Sequence, residues 1–230
     1  MFYFDPLYLI LALPGLLLGL WAQFRVKGTF NKYARVRTSQ NLTGAEVARH
    51  LLDSQGLYDV QIEEVQGFLS DHYDPRTRIL RLSPDVYRVP SVSAAGVAAH
   101  EMGHALQHAA GYAPLRLRSA IVPAVQFGSS LGPILFLVGF LLRFTALAWL
   151  GVIFFAGAVV FSLVTLPVEF NASKRAKALL ANSGFMSTDE VRGVDKVLDA
   201  AALTYVAAAV AAIGQLLYYV LLLTGGSRRD

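Results

Sequence analysis

The chain has 230 residues, of which 55% are hydrophobic and only 16% charged, and its mean hydropathy is +0.48. A soluble domain carries about a quarter charged residues; here the deficit is concentrated in long uncharged runs, which points to membrane insertion. The net charge of +4 and pI near 9.4 come with no basic stripe interleaved with aromatics, which argues against nucleic acid as a partner, and the absence of Cys excludes disulfides, thiolate ligands and a Cys nucleophile.

The first predicted element is an apolar run from Leu7 to Phe24. At ~1.5 Å per residue its length is at the lower limit for a ~30 Å hydrocarbon core. It lacks a basic leader and a small-residue cleavage site, so a retained anchor is expected rather than a signal peptide. A polar segment, Arg25 to Arg118, follows and reads as a small α+β unit. Thr43-Gly44-Ala45-Glu46 is a capping-box pattern that opens a helix through about Ser54, with Ala45, Val47, Ala48, Leu51 and Leu52 on its apolar face. Asp59 to Val65 and Thr77 to Leu82 alternate as strands, and His72 to Arg76 between them reads as a turn. Ser91 or Ser93 caps a helix that runs to about Ala110, ahead of Gly111 and Pro114.

Two further spans, Ile121 to Leu142 and Phe144 to Val168, are separated by Arg143 alone and so form an antiparallel hairpin; Pro123 and Pro133 lie within the first. Glu169 to Asp199 reads as helical with a break at Asn182-Ser183-Gly184. A second capping-box pattern, Ser187 to Glu190, starts the helix that becomes the fourth span, Ala200 to Thr224, whose Ala and Gly suit close helix packing. The expected divisions are therefore 1–24 anchor, 25–118 catalytic segment, 119–168 hairpin, 169–199 helical segment and 200–230 span with tail.

Charge near the spans is uneven. Arg25, Lys27, Lys32, Arg35, Arg37, Arg116, Arg118, Lys174, Arg175, Lys177, Arg192 and Lys196 belong to the two polar segments; Arg143, Arg228 and Arg229 fall on the other side. The bias predicts that both polar segments face the cytoplasm and both termini face outward, with Arg228 and Arg229 running against it.

His100-Glu101-Met102-Gly103-His104 carries the chemistry. Two His four residues apart on a helix project from one face and can share one tetrahedral ion. Glu101 stands beside the open position as general base for a metal-activated water, the signature of helical zinc hydrolase sites. A third ligand is required. His108 lies eight residues from His100, ~12 Å along a straight helix, too far for both to share an ion; it reads as a polar group at the helix end or a donor to a ligand. Glu169, where the third span meets the polar side, is the better candidate, since a carboxylate at such a boundary is costly without a partner. Two spans separate it from the His pair, so both lie on one side of the membrane. The alternative for Glu169 is an ordinary interfacial charge or an ion pair with Arg175.

Asp71-His72-Tyr73-Asp74-Pro75-Arg76, Leu80-Arg81-Leu82-Ser83, Gly96 through Gln107 and Leu166 through Ser173 give the chain a resemblance, over nearly its whole length, to the YugP-like family of neutral zinc metallopeptidases, membrane relatives of the gluzincins and of HtpX-type proteases. The resemblance implies a mainly α membrane protein, with four transmembrane helices and a small α+β zincin-like metalloprotease domain carrying the motif helix. It implies Zn2+ held by His100, His104 and Glu169, with Glu101 catalytic. Gluzincins add an Asp four residues after the ligand Glu, whereas here Ser173 stands there, with Asn171 nearby as a substitute. An edge strand beside the active helix would take an extended peptide, and Thr77 to Leu82 is the expected edge. His72, Tyr73, Arg175 and Tyr205 are open candidates for stabilising the transition state; His50 is expected to have no catalytic part.

The function expected is a multi-pass, cell-membrane endopeptidase with its active site on the cytoplasmic side. Peptides or membrane proteins are its expected substrates and the lipid bilayer its setting. A silent zinc-binding scaffold would be favoured by loss of Glu101, which is present. A metal transporter or sensor would place ligands at mid-bilayer depth, whereas every His falls outside the four spans.

Overall fold

The computed structural model describes residues 6–226; Arg228 and Arg229, which entered the charge count, lie outside them. In chain order the elements are α1 (Pro6–Ala34), α2 (Gly44–Ser54), β1 (Gln61–Glu64), β2 (His72–Asp74), β3 (Ile79–Leu82), α3 (Pro84–Tyr87), α4 (Val92–Ala109), α5 (Ala113–Leu141), α6 (Thr145–Asn182) and α7 (Thr188–Gly226). The protein is mainly helical with one small sheet, and α1, α5, α6 and α7 are each long and apolar enough to cross a membrane.

Two compact units divide the chain. One is built from Met1–Ala22, Arg116–Pro167 and Thr204–Asp230. Its helices meet through small residues. A Cβ at Gly15 would lie 2.6 Å from the Ala211 Cα, and one at Gly128 would lie 2.7 Å from the Phe154 carbonyl oxygen. Backbones this close gain dispersion that no hydrophobic driving force supplies in lipid. The turn of the α5–α6 hairpin closes with Arg143 at φ 56 and the Phe144 N–H donating to the Gly139 carbonyl.

The other unit comprises Gln23–Leu115 and Val168–Leu203. Its core centres on α4, whose Ala94, Ala95, Ala98, Ala99 and Met102 are fully buried. Around them pack Val47, Leu51 and Leu52 of α2, Leu80 and Leu82 of β3, Ala176 and Leu180 of α6, and Val194 and Leu198 of α7. Small side chains along α4 let these elements approach from several sides. Both capping boxes form. Thr43 and Glu46 exchange hydrogen bonds at the start of α2, and Ser187 and Glu190 do so at the start of α7. Ser91 caps α4 by accepting from the Ala94 N–H, while the Ser93 hydroxyl donates to the Phe30 carbonyl.

The structure corrects three expectations. The stretch read as a turn from residue 72 holds strand β2, and the turn lies at 75–78. There Asp74 accepts from the Arg76 N–H and the Thr77 hydroxyl, each at 2.9 Å. The sheet order is β1-β3-β2, with β1 parallel and β2 antiparallel to β3. The strand expected as the edge is therefore the central one, and β2 is the edge. The helices also run past the expected span ends: α1 continues to Ala34 and α6 passes unbroken from Thr145 to Asn182. In α1 no proline stands where the apolar pattern ends, and α6 continues through Pro167.

Candidate metal centre

α4 carries His100 and His104 one turn apart, and the part of α6 beyond Pro167 carries Glu169. The two helices approach where Gly103 faces Ala172; a Cβ at position 103 would lie 2.6 Å from the Ala172 carbonyl oxygen. The glycine between Met102 and the second His is thus what lets α6 reach the His pair. Gly103→Ala is expected to force the helices apart and cost roughly 1–3 kcal/mol, read as a lower unfolding temperature in detergent together with weaker zinc binding. An unchanged melting point and affinity would mean that the contact is dispensable.

The three groups converge. His100 Nε2 is 3.1 Å and His104 Nε2 is 3.5 Å from the same oxygen, Glu169 Oε2. The imidazole planes stand edge to face at 86°, and all three residues are buried, Glu169 to 2% exposure. Ligands on ~2.1 Å bonds at tetrahedral angles lie about 3.4 Å apart, so these nitrogen–oxygen separations fit one shared ion. Nitrogen and carboxylate oxygen are also the donor set that zinc takes where Cys is absent. The outward nitrogens are engaged: His100 Nδ1 with the Ser173 hydroxyl at 3.0 Å, and His104 Nδ1 with Gln107 Oε1 at 3.0 Å. Ser173 therefore contacts one of the two converging imidazoles itself. Asn171 acts at one remove, through Gln107. The helical spacing of His104 and Gln107 makes that contact readable in a sequence.

Burial alone would push the His104 imidazole pKa down. The hydrogen bond to Glu169 and the charges of Glu101 and Glu169 outweigh burial and raise it. Metal ligation needs the neutral ring, so zinc affinity is expected to fall as pH drops through the raised His104 range. Chelator competition across pH checks this, and a flat profile would contradict it.

Glu101 lies one residue beyond His100, and its Oε2 accepts the Tyr73 N–H at 3.2 Å. The bond comes from the edge strand β2. Desolvation raises the Glu101 carboxyl above the usual carboxylate range; His100 and His104 oppose this, and Glu169 and Asp71 add to it. A cation among the three ligands would draw it back down. A carboxyl raised in this direction suits proton transfer near neutral pH.

The remaining candidates separate. His108 stands apart from the converging group; its Nδ1 pairs with the Tyr73 hydroxyl at 3.0 Å. His72 is exposed and its Nδ1 pairs with the Ser70 carbonyl. Arg175 Nε donates to Asn171 Oδ1 at 2.8 Å. Tyr205 lies on α7, and His50 is exposed on α2 with its ring 6.2 Å from that of Phe185.

Comparison with known proteins agrees with this donor chemistry. A family model described as "Putative neutral zinc metallopeptidase" matches residues 8–224. The "Putative membrane protease YugP" of Bacillus subtilis (strain 168) is 52% identical over 220 residues, 96% of this chain and 98% of that protein. No solved structure matches the chain. With a family model and a close relative both spanning nearly its full length, the chain belongs to the neutral zinc metallopeptidase family that the model describes.

Proposed function

We propose that this protein is a membrane-embedded, zinc-dependent endopeptidase of gluzincin type, in which His100, His104 and Glu169 hold the ion and Glu101 is the general base. The observation that carries the reading is the meeting of two imidazole nitrogens at one buried carboxylate oxygen, with a second carboxylate on the residue after the first His. A bound zinc ion supplies Lewis acidity, polarising a carbonyl and making a water acidic. Glu101 takes the proton of the attacking water and returns it to the departing amine. The Tyr73 N–H fixes one oxygen of that carboxylate and so limits the directions in which the proton can be taken.

The edge position of β2 beside α4 supports an extended peptide laid along this strand. A cavity of about 130 Å³ lined by Tyr73, Ala105 and His108, among others, can receive one of its side chains. Glu101, Ala105 and His108 share one face of α4 by helical spacing, which keeps the cavity on the catalytic side.

Substrates are membrane proteins or segments near a bilayer, because Glu169 directly follows the apolar stretch that ends at Val168. Peptides blocked at both termini and carrying a quenched fluorophore test the reading. Detergent-solubilised protein should cleave them, and a chelator should stop it; cleavage that survives chelation, or none at all on a broad peptide set, would contradict the proposal.

The cytoplasmic placement rests on the Lys and Arg bias. With no native cysteine in the chain, a Tyr58→Cys variant at a position 74% exposed gives a clean readout. In intact cells it should react with a permeant maleimide and not with an impermeant one. Labelling by the impermeant reagent would put the catalytic unit outside.

A further inference from the structure

Behind His104 a run of polar side chains crosses from α4 to α6. Arg175 Nε lies 2.8 Å from Asn171 Oδ1, which lies 3.0 Å from Gln107 Nε2. Gln107 Nε2 also reaches the Val168 carbonyl at 2.8 Å, and Gln107 Oε1 meets His104 Nδ1 at 3.0 Å. Gln107 is fully buried and Arg175 is half-buried.

Each link in this run has only one possible sense. A guanidinium carries donors and no acceptor, so Asn171 must turn its oxygen toward Arg175. The same oxygen faces Gln107, which must therefore present its NH2 end. The Val168 carbonyl, which can only accept, makes the same demand on the second N–H. Gln107 is left with its oxygen toward His104, and only a protonated Nδ1 can meet it. An imidazole with its proton on Nδ1 keeps its lone pair on Nε2, the nitrogen that faces Glu169. The two ends of a carboxamide are nearly alike in shape, so the sense of Gln107 is held from two sides, by the Val168 carbonyl and by the Asn171 oxygen that Arg175 fixes. His100 differs: its Nδ1 partner is the Ser173 hydroxyl, which can donate or accept.

We propose that Asn171, locked by Arg175, is a positioning residue for the metal centre that helps to hold, through Gln107, the His104 proton on Nδ1 and so leaves the Nε2 lone pair for the ion. The proposal rests on the zinc peptidase reading and assigns Asn171 and Arg175 a role in it without contact to substrate or ion. Because Val168 also holds Gln107, loss of Asn171 weakens the lock rather than removing it.

The test uses the full chain in detergent, with zinc affinity from chelator competition and 15N spectra of zinc-loaded, histidine-labelled protein. Asn171→Leu removes the acceptor and keeps the bulk. It should lower zinc affinity about tenfold, the lower end of what partners of metal ligands contribute, and shift or broaden the His104 Nδ1–H signal. Asn171→Asp keeps an acceptor oxygen and should retain both wild-type affinity and signal. Arg175→Met should fall between the two, and it reads the same run independently if Asn171→Leu does not fold. Wild-type affinity and signal in Asn171→Leu or Arg175→Met would overturn the proposal, as would an Asn171→Asp protein as weak as the Leu variant, since bulk or shape would then be what matters. Failure of the wild-type chain to take up zinc is a different result: it would overturn the peptidase reading and this proposal with it.

Discussion

Glu101→Gln is expected to lower kcat for peptide cleavage by about 100- to 10,000-fold, the contribution typical of a positioned general base, while zinc binding stays within reach of wild type. The substitution is nearly isosteric, and its amide oxygen can still accept the Tyr73 N–H that Glu101 Oε2 now accepts. The converging group of His100, His104 and Glu169, which could hold an ion, does not include Glu101, so its donor atoms survive the substitution. What disappears is an oxygen able to take and return a proton. Parallel measurements of bound zinc and of kcat separate the two roles. Loss of zinc along with activity would make Glu101 part of the metal's support, and full activity would remove it from the chemistry.

Glu169→Ala has the opposite profile. Its carboxylate oxygen is where both imidazole Nε2 atoms converge, and the side chain is buried to 2% exposure. Without it two nitrogens remain, and zinc sites of this kind use three protein ligands. Zinc affinity should drop by more than the ~10- to 100-fold lost when an outer partner of a ligand is removed, and activity at limiting zinc should vanish. His108 offers no replacement, since it stands apart from the converging group and its Nδ1 pairs with the Tyr73 hydroxyl of β2. Chelator competition on the purified variant gives the answer; wild-type affinity would return the third-ligand role to some other group.

Much of this was legible because local rules act over a few residues. Thr43 with Glu46 and Ser187 with Glu190 mark two helix starts, and both boxes form as the spacing demands. The four apolar runs are likewise strong signals, since bilayer thickness sets their length. The short sheet was harder. β2 has three residues, too few for alternation to outweigh the Asp74-Pro75 turn chemistry beside it, so its strand was hidden inside its own turn. Strand order was hidden too, because which strand lies in the middle depends on contacts across the fold and not on either strand's pattern. The contact of Gln107 with His104 follows from helical spacing, as does that of Asn171 with Arg175. What joins the two pairs is the crossing of α4 and α6 at Gly103 and Ala172, between residues more than sixty positions apart in sequence, and no local pattern announces it.

The most direct measurement is activity against bound zinc. Protein stripped by a chelator and reloaded in steps should regain cleavage of a blocked peptide in proportion to zinc bound, levelling at one ion per chain, as the one such group among the described residues, His100, His104 and Glu169, predicts. Cleavage by the stripped protein, or one tightly bound zinc per chain with no cleavage of any peptide, would contradict it.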